Sequence, residues 1–245
     1  MAASPGEHVS VPSTERTSLG EAAYRKLRDD IVSCRLAPGQ RLTERSLAQS
    51  TGFGVSPIRD ALTRLDHEGL VRTLPRKGYQ VTPLTLKSVD DLFALWRIVG
   101  PEIVRLGVRD ADQEQRRRAV AAFSAIADLR RTDPDAQHLR AERLSELAAE
   151  AFAILAEASD NDYLIGIYQR LQNDMARVWT IASQARAALP EIDVDEDWIE
   201  FLERRDSDAA AARVRSYIAE AHTRILRILS RWPSVVASEI TPLPG

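Results

Sequence analysis

The sequence predicts a mainly α-helical chain in two parts: a winged helix-turn-helix with a small β-wing at the N-terminus, and an all-α helical bundle after it. Three observations carry this. Residues 55–70 (VSPIRDALTRLDHEGL) have helical spacing with two unlike faces. Two short β-prone runs, residues 70–73 and 79–82, bracket the turn Pro75-Arg76-Lys77-Gly78. From Lys87 to Trp232 every segment reads helical and none alternates as a strand would.

Taken in order, residues 1–18 are rich in Pro, Ser, Gly and Glu and lack the apolar run of a signal peptide, so they read as a disordered leader. Residues 19–34 place Ala23, Leu27, Ile31 and Cys34 at helical spacing, with Pro38-Gly39 as the stop. Residues 43–50 (TERSLAQS) form a second helix with Leu47 and Ala48 inward, broken by the run TGFG. In the third helix Ser56 reads as the N-cap and Pro57 as the first helical residue, where a missing N–H costs nothing, with Gly69 as the stop. At about 100° per residue, Ile58, Ala61, Leu62 and Leu65 fall on one side. Ser56, Arg59, Asp60, Thr63 and His67 fall on the other, so one face packs and the other is free to read a partner. Two helices joined by a tight glycine-containing turn make a helix-turn-helix, and the hairpin that follows has a basic tip.

After a connector at residues 82–85, the bundle is expected to comprise helices near 87–108, 112–130, 136–158, 162–188, 195–205 and 207–231. A kink is expected at Gly100-Pro101, because a proline inside a helix removes a backbone hydrogen bond. No repeat period is evident, which favours a compact bundle over a solenoid.

Composition narrows the function. The 245 residues are 44% hydrophobic and 28% charged, with a net charge of −3. That balance argues against a nucleic-acid binder until its distribution is read: residues 1–85 carry 12 Lys and Arg against 9 Asp and Glu, and the rest carry 21 against 27. A mildly basic front on an acidic body suits local phosphate contact. A single cysteine, Cys34, can close no internal disulfide, which points to a reducing cytoplasm, and no membrane span is present. The four histidines, His8, His67, His138 and His222, are scattered and form no catalytic or zinc spacing, and Gly52-Phe53-Gly54 is too short for a phosphate loop. An enzyme is therefore not expected.

Residues 37–81 (APGQRLTERSLAQSTGFGVSPIRDALTRLDHEGLVRTLPRKGYQV) resemble the GntR family of bacterial winged-helix transcription regulators. The resemblance implies that the second helix of the motif enters the DNA major groove and the wing tip reaches the minor groove. It places DNA contacts on Arg45, on Gly54, Val55 and Ser56, on Arg59, and on Lys77 and Gly78; Thr63 on the same helix face and Arg76 at the wing tip complete the expected set. Val55 stands where the family often has a further arginine, two residues ahead of the proline.

Residues 152–164 (FAILAEASDNDYL), the following YQRL and residues 204–218 (RRDSDAAAARVRSYI) resemble the effector domain of the FadR-like (FCD) branch. This implies a DNA-binding domain at 19–84, an FCD-like effector-binding and dimerisation domain at 87–232, and a tail at 233–245. Many members of that branch hold a divalent metal with one Asp or Asn and three His. The corresponding positions here fall on Ala149, Ala153, near Asp195 and on Tyr217, while the family's Arg and Glu of the first bundle helix give way to Trp96 and Gly100. His222 lies about 140° around the helix from Tyr217 and cannot replace it. No metal or other cofactor is expected. The expected effector pocket is lined by Trp96, Ala149, Phe152, Ala153, Asp195, Trp198 and Tyr217 and suits an apolar small molecule, although aromatic residues at such spacing also serve as ordinary core.

The sequence thus leads to a cytoplasmic, homodimeric, ligand-responsive repressor of a pseudo-palindromic double-stranded operator. The alternative is a helical DNA-architectural or interaction scaffold with no effector. The bundle is expected to hold the dimer, because packing Ile58, Leu62 and Leu65 leaves the head little apolar surface.

Overall fold

A computed structural model describes residues 13–131, 137–184 and 197–230. The chain divides into two compact units, one formed by residues 1–31 and 35–82 and the other by residues 32–34 and 83–245.

In the first unit, α1 (Ser13–Val32), α2 (Glu44–Thr51) and α3 (Val55–His67) combine with β1 (Arg41–Leu42), β2 (Val71–Leu74) and β3 (Gly78–Val81). Ala23, Leu27 and Ile31 on α1, Leu47 on α2 and Ile58, Leu62 and Leu65 on α3 share one core with Leu70, Val71 and Val81. Helix α1 begins inside the stretch read as a leader and ends at Val32, well before Pro38-Gly39. Cys34 is not its last turn: it takes a left-handed conformation (φ 56°), and the Leu36 amide bonds back to the Asp30 carbonyl at 2.8 Å.

Helix α2 starts at the N-cap Thr43, whose hydroxyl accepts from the Ser46 amide at 3.1 Å. It ends on Gly52 in the left-handed region (φ 78°), whose N–H bonds to Ala48. The three strands form an antiparallel sheet in the order β1-β3-β2. Each hairpin strand lies one residue nearer the turn than expected, in the expected pairing, with Leu74 opposite Gly78 and Val71 opposite Val81. Strand β1, two residues pairing Arg41 with Gln80 and Leu42 with Tyr79, is too short to leave a sequence pattern. It also explains Gly78: the residue has φ 84°, and a Cβ there would meet the Leu42 carbonyl oxygen at 2.5 Å.

The second unit comprises α4 (Leu86–Asp110), α5 (Gln113–Arg131), α6 (Gln137–Ala158), α7 (Asp162–Gln184), α8 (Asp197–Arg204) and α9 (Ser207–Leu229). Helix α4 opens with a reciprocal capping box between Thr85 and Ser88 and continues through Gly100-Pro101 to Asp110. It packs most extensively on α9, and also on α6 and α7. The expected helix ends at 188 and 195, and Asp195 itself, lie outside the described residues. Among the described residues no helix is long and apolar enough to cross a membrane.

Candidate nucleic-acid interface

The reading surface is built on α3. Its packing face is completely covered, with Ile58, Ala61, Leu62 and Leu65 each at most 1% exposed. Val55, Ser56, Arg59, Asp60, Thr63 and His67 lie on the exposed side. The helix starts two residues earlier than the Ser-Pro signature implies. Gly54 is the N-cap, with extended backbone and no side-chain hydrogen bond, so Val55 and Ser56 are the first two helical residues and Pro57 the third. Proline fits there because the third amide is also without an intrahelical acceptor. The amides of Val55 and Ser56 carry the positive end of the helix dipole at an exposed tip, a geometry suited to a phosphate oxygen.

Arg59 does not wave freely. Its Nε donates to Glu44 Oε1 at 2.9 Å and its Nη2 to Glu44 Oε2 at 2.8 Å, a two-pronged pair across α3 and α2. The hydrogen bond holds the Glu44 carboxyl below its ordinary range and raises the Arg59 guanidinium above its own. Sequence reading passed over Glu44, because an acid in the first turn of a helix is already explained by the dipole. Thr63 turns its hydroxyl back to the Arg59 carbonyl at 3.0 Å. Arg45 is exposed beside Glu44 on α2.

The wing is tied to α3 by Asp66, which accepts from the Thr73 amide at 3.2 Å and the Thr73 hydroxyl at 3.0 Å. At its tip Arg76 and Lys77 are exposed, Arg76 in the left-handed region (φ 61°). Arg72, which the sequence did not single out, is exposed on β2 and donates twice to Gln80 Oε1, at 2.9 and 2.6 Å. The head thus brings Arg45, Gly54, Val55, Ser56, Arg59 and Thr63 into one helix-turn-helix and holds Arg76, Lys77 and Gly78 on the adjoining hairpin.

The expected effector residues lie in the second unit, and three of them meet. Trp96 and Phe152 stand edge to face with ring centroids 5.6 Å apart, and Phe152 and Trp198 do so at 6.1 Å. Phe123, missing from the expected set, stacks on Trp198 at 4.7 Å, and Tyr168 lies 5.9 Å from Trp96. Ala149, Ala153 and Tyr217 are half-buried; the Ala149 carbonyl accepts from the Tyr168 hydroxyl at 2.9 Å. Burial pushes the Tyr168 and Tyr217 hydroxyls well above the usual phenol range, so both are neutral donors. Trp96 also fills the space over Gly100, where a Cβ would lie 3.2 Å from its ring and 2.9 Å from Ile218 Cδ1.

These residues do not fit a divalent ion. Ala149 and Ala153 offer no donor side chain, and His222 is engaged elsewhere, stacked on Phe93 at 4.9 Å with its Nε2 2.9 Å from Asp90 Oδ1. That nitrogen is within ion-pair distance of Asp90 but outside hydrogen-bond geometry. Among the described residues no group of three or more His, Cys, Asp or Glu is gathered for a metal.

An outward-facing helix on a helix-turn-helix, with cations on an adjacent wing, defines a DNA-binding class of protein. Residues 19–81 match the model for the bacterial regulatory proteins of the gntR family, and residues 91–220 match the FCD domain. The chain belongs to the GntR family of bacterial transcription regulators, in the branch that carries an FCD domain. It is 35% identical over 130 residues to the uncharacterized HTH-type transcriptional regulator BphR of Paraburkholderia xenovorans, covering 53% of each chain. To the Nta operon transcriptional regulator of Aminobacter aminovorans it is 25% identical, covering 81% of this chain and 90% of the relative. The HTH-type transcriptional repressor GlaR of Escherichia coli is 27% identical, over 63% of this chain and 69% of its own. The chain spans about half the length of the first curated relatives it matches. Among solved structures, Escherichia coli McbR/YncC aligns with a TM-score of 0.66 at 16% identity, over 85% of this chain and 97% of that one. A GntR regulator from Rhodococcus sp. RHA1 aligns at 0.65 and 18% identity, over 88% and 99%. These relatives are named as regulators, not enzymes.

Proposed function

We propose that this chain is a homodimeric, cytoplasmic transcription repressor that reads a pseudo-palindromic operator and answers to an apolar small molecule. The observation that carries the reading is α3, whose packing face is fully covered while its other face presents Ser56, Arg59 and Thr63 beside an exposed, uncapped N-terminus. Arg45, Gly54, Val55 and Ser56 approach the backbone, Arg59 reads a base edge in the major groove, and Arg76, Lys77 and Gly78 enter the minor groove. A repressor role is favoured by the name of the relative GlaR.

The dimer is supported by apolar groups left in water on α4 and α7. Ile98 is 74% exposed and Tyr163 86%, with Leu95 and Ile167 beside them in sequence register on the same two helices. Gly166, between Tyr163 and Ile167, has nothing within 4 Å of where a Cβ would be, which leaves room for another helix. The effector reading rests on the aromatic cluster of Trp96, Phe152 and Trp198, with Ala149, Ala153 and Tyr217 at its edge. Its chemistry suits an apolar ligand held without a metal.

The test is selection of bound sequences from random duplex DNA by the full chain, followed by sedimentation of the protein and of Ile98→Glu. The expected result is a two-fold-related pair of half-sites about one helical turn apart, a wild-type dimer, and a monomeric variant with weakened operator binding. Recovery of no sequence preference would refute the regulator reading, and a dimeric Ile98→Glu would move the interface elsewhere.

A further inference from the structure

Resting on the reading of Arg59 as a base contact, we propose that Glu44 is a positioning residue for DNA recognition: it holds the Arg59 guanidinium with its outer edge aimed at a guanine.

Guanidinium has five N–H donors in a rigid plane. Glu44 engages two of them, on Nε and Nη2, through both of its own oxygens at 2.9 and 2.8 Å. Three donors remain: both on Nη1 and one on Nη2. Two of these, one on Nη1 and one on Nη2, lie along the end of the fork, an edge that pairs with O6 and N7 of guanine in the major groove. The two partners are unequally covered, since the Glu44 side chain is 22% exposed and that of Arg59 is 61% exposed. The carboxylate is largely shielded while the guanidinium keeps its free edge in water, as a reader with a support behind it requires.

Stability gives little reason for the pair. Exposed ion pairs contribute little to folding, and Thr43 already caps α2 through its own hydroxyl. The cost is also in the wrong direction for a protein that needs phosphate affinity, because an acid beside a DNA-facing arginine lowers the local positive potential. What the arrangement does provide is a side chain fixed before DNA arrives. An arginine frozen only on binding would lose rotamer freedom at that step, whereas one already clamped has lost it in the free protein.

Charge and positioning make opposite predictions. If Glu44 only repels phosphate or sequesters Arg59, removing its charge tightens binding to every sequence. If it positions Arg59, removal weakens the cognate sequence while leaving other DNA unchanged or bound more tightly.

The experiment uses the full chain with two probes at one fixed salt concentration: the duplex the protein itself selects from a random pool, and a scrambled duplex of equal length. The variants are Glu44→Gln, Arg59→Ala and the double substitution, each with its melting temperature recorded. The expected result is that Glu44→Gln lowers the selected-to-scrambled affinity ratio by about 3- to 10-fold, from the ordering cost returned to the binding step. In the Arg59→Ala background the same change should have no effect on that ratio. A Glu44→Gln protein that binds both probes more tightly, or whose loss persists without Arg59, overturns the positioning role. If Arg59→Ala itself leaves the ratio unchanged, the base-reading assignment fails first; if Arg59→Ala lowers it and Glu44→Gln does not, only the role of Glu44 fails.

Discussion

The head and the bundle bury their helices by the same means, yet they put their working residues on opposite sides of the packing pattern. In the head, the residues proposed to act face water: Arg45, Ser56, Arg59, Thr63, Arg76 and Lys77 are all exposed, while Ile58, Leu62 and Leu65 beneath are sealed. In the bundle, the aromatic residues proposed to act face inward, and Trp96, Phe152 and Trp198 are buried within the core. A helical period separates an outward-facing function from the core beneath it. It cannot separate an inward-facing function from core, because both obey the same spacing.

The largest effect expected from this contrast is on the bundle side. Trp198 is 2% exposed, stacked on Phe123 and edge to face with Phe152, so Trp198→Ala should destabilise the bundle by about 3–5 kcal/mol, read from a lower urea midpoint of the tryptophan signal. A loss below about 1 kcal/mol would mean that the rings surround open space rather than one another. The smallest effect expected is none: treatment with a strong chelator should leave the melting temperature unchanged, because Ala149 and Ala153 cannot ligate and His222 is turned to Phe93 and Asp90. A drop on chelation, reversed by zinc, nickel or manganese, would place ligands outside the described residues, Asp195 among them, and would require a different register for this region.

The same contrast explains how much of the molecule was legible. The order of elements and their type could be read from residues 55–70 and from the uninterrupted helical periodicity after residue 86, since long amphipathic runs repeat the signal many times. Ends were less clear for identifiable reasons. Ser56-Pro57 resembles a cap followed by a first residue, but proline is tolerated through the whole first turn, and the cap is Gly54, which leaves no side-chain mark. Strand β1 has two residues and no period at all, although it is what makes Gly78 obligatory. Cys34 continues the spacing of Ala23, Leu27 and Ile31 by coincidence, two residues past the last helical one.

The site was legible in proportion to its exposure. Arg59 stood out as a cation on the face that does not pack. Its partner Glu44 did not, because the pair is 15 residues apart in sequence and only the helix-turn-helix geometry closes it to 2.8 Å. Arg72 and Gln80 were missed for the same reason, their contact being made across the β2-β3 ladder. In the bundle, Phe123 and Tyr168 gave no signal beyond ordinary core spacing, and only the ring contacts associate them with Trp96 and Trp198.

The central claim is that sequence is read from the exposed face of α3. Its most direct test compares wild type and Arg59→Ala for binding to the duplex selected by the full chain and to a scrambled control, at one salt concentration. Loss of a bidentate base contact, worth about 1–3 kcal/mol, predicts binding to the selected duplex weakened by about 5- to 150-fold, a much smaller change on the control, and an unaltered melting temperature. Equal weakening on both duplexes, or none on either, would contradict the claim.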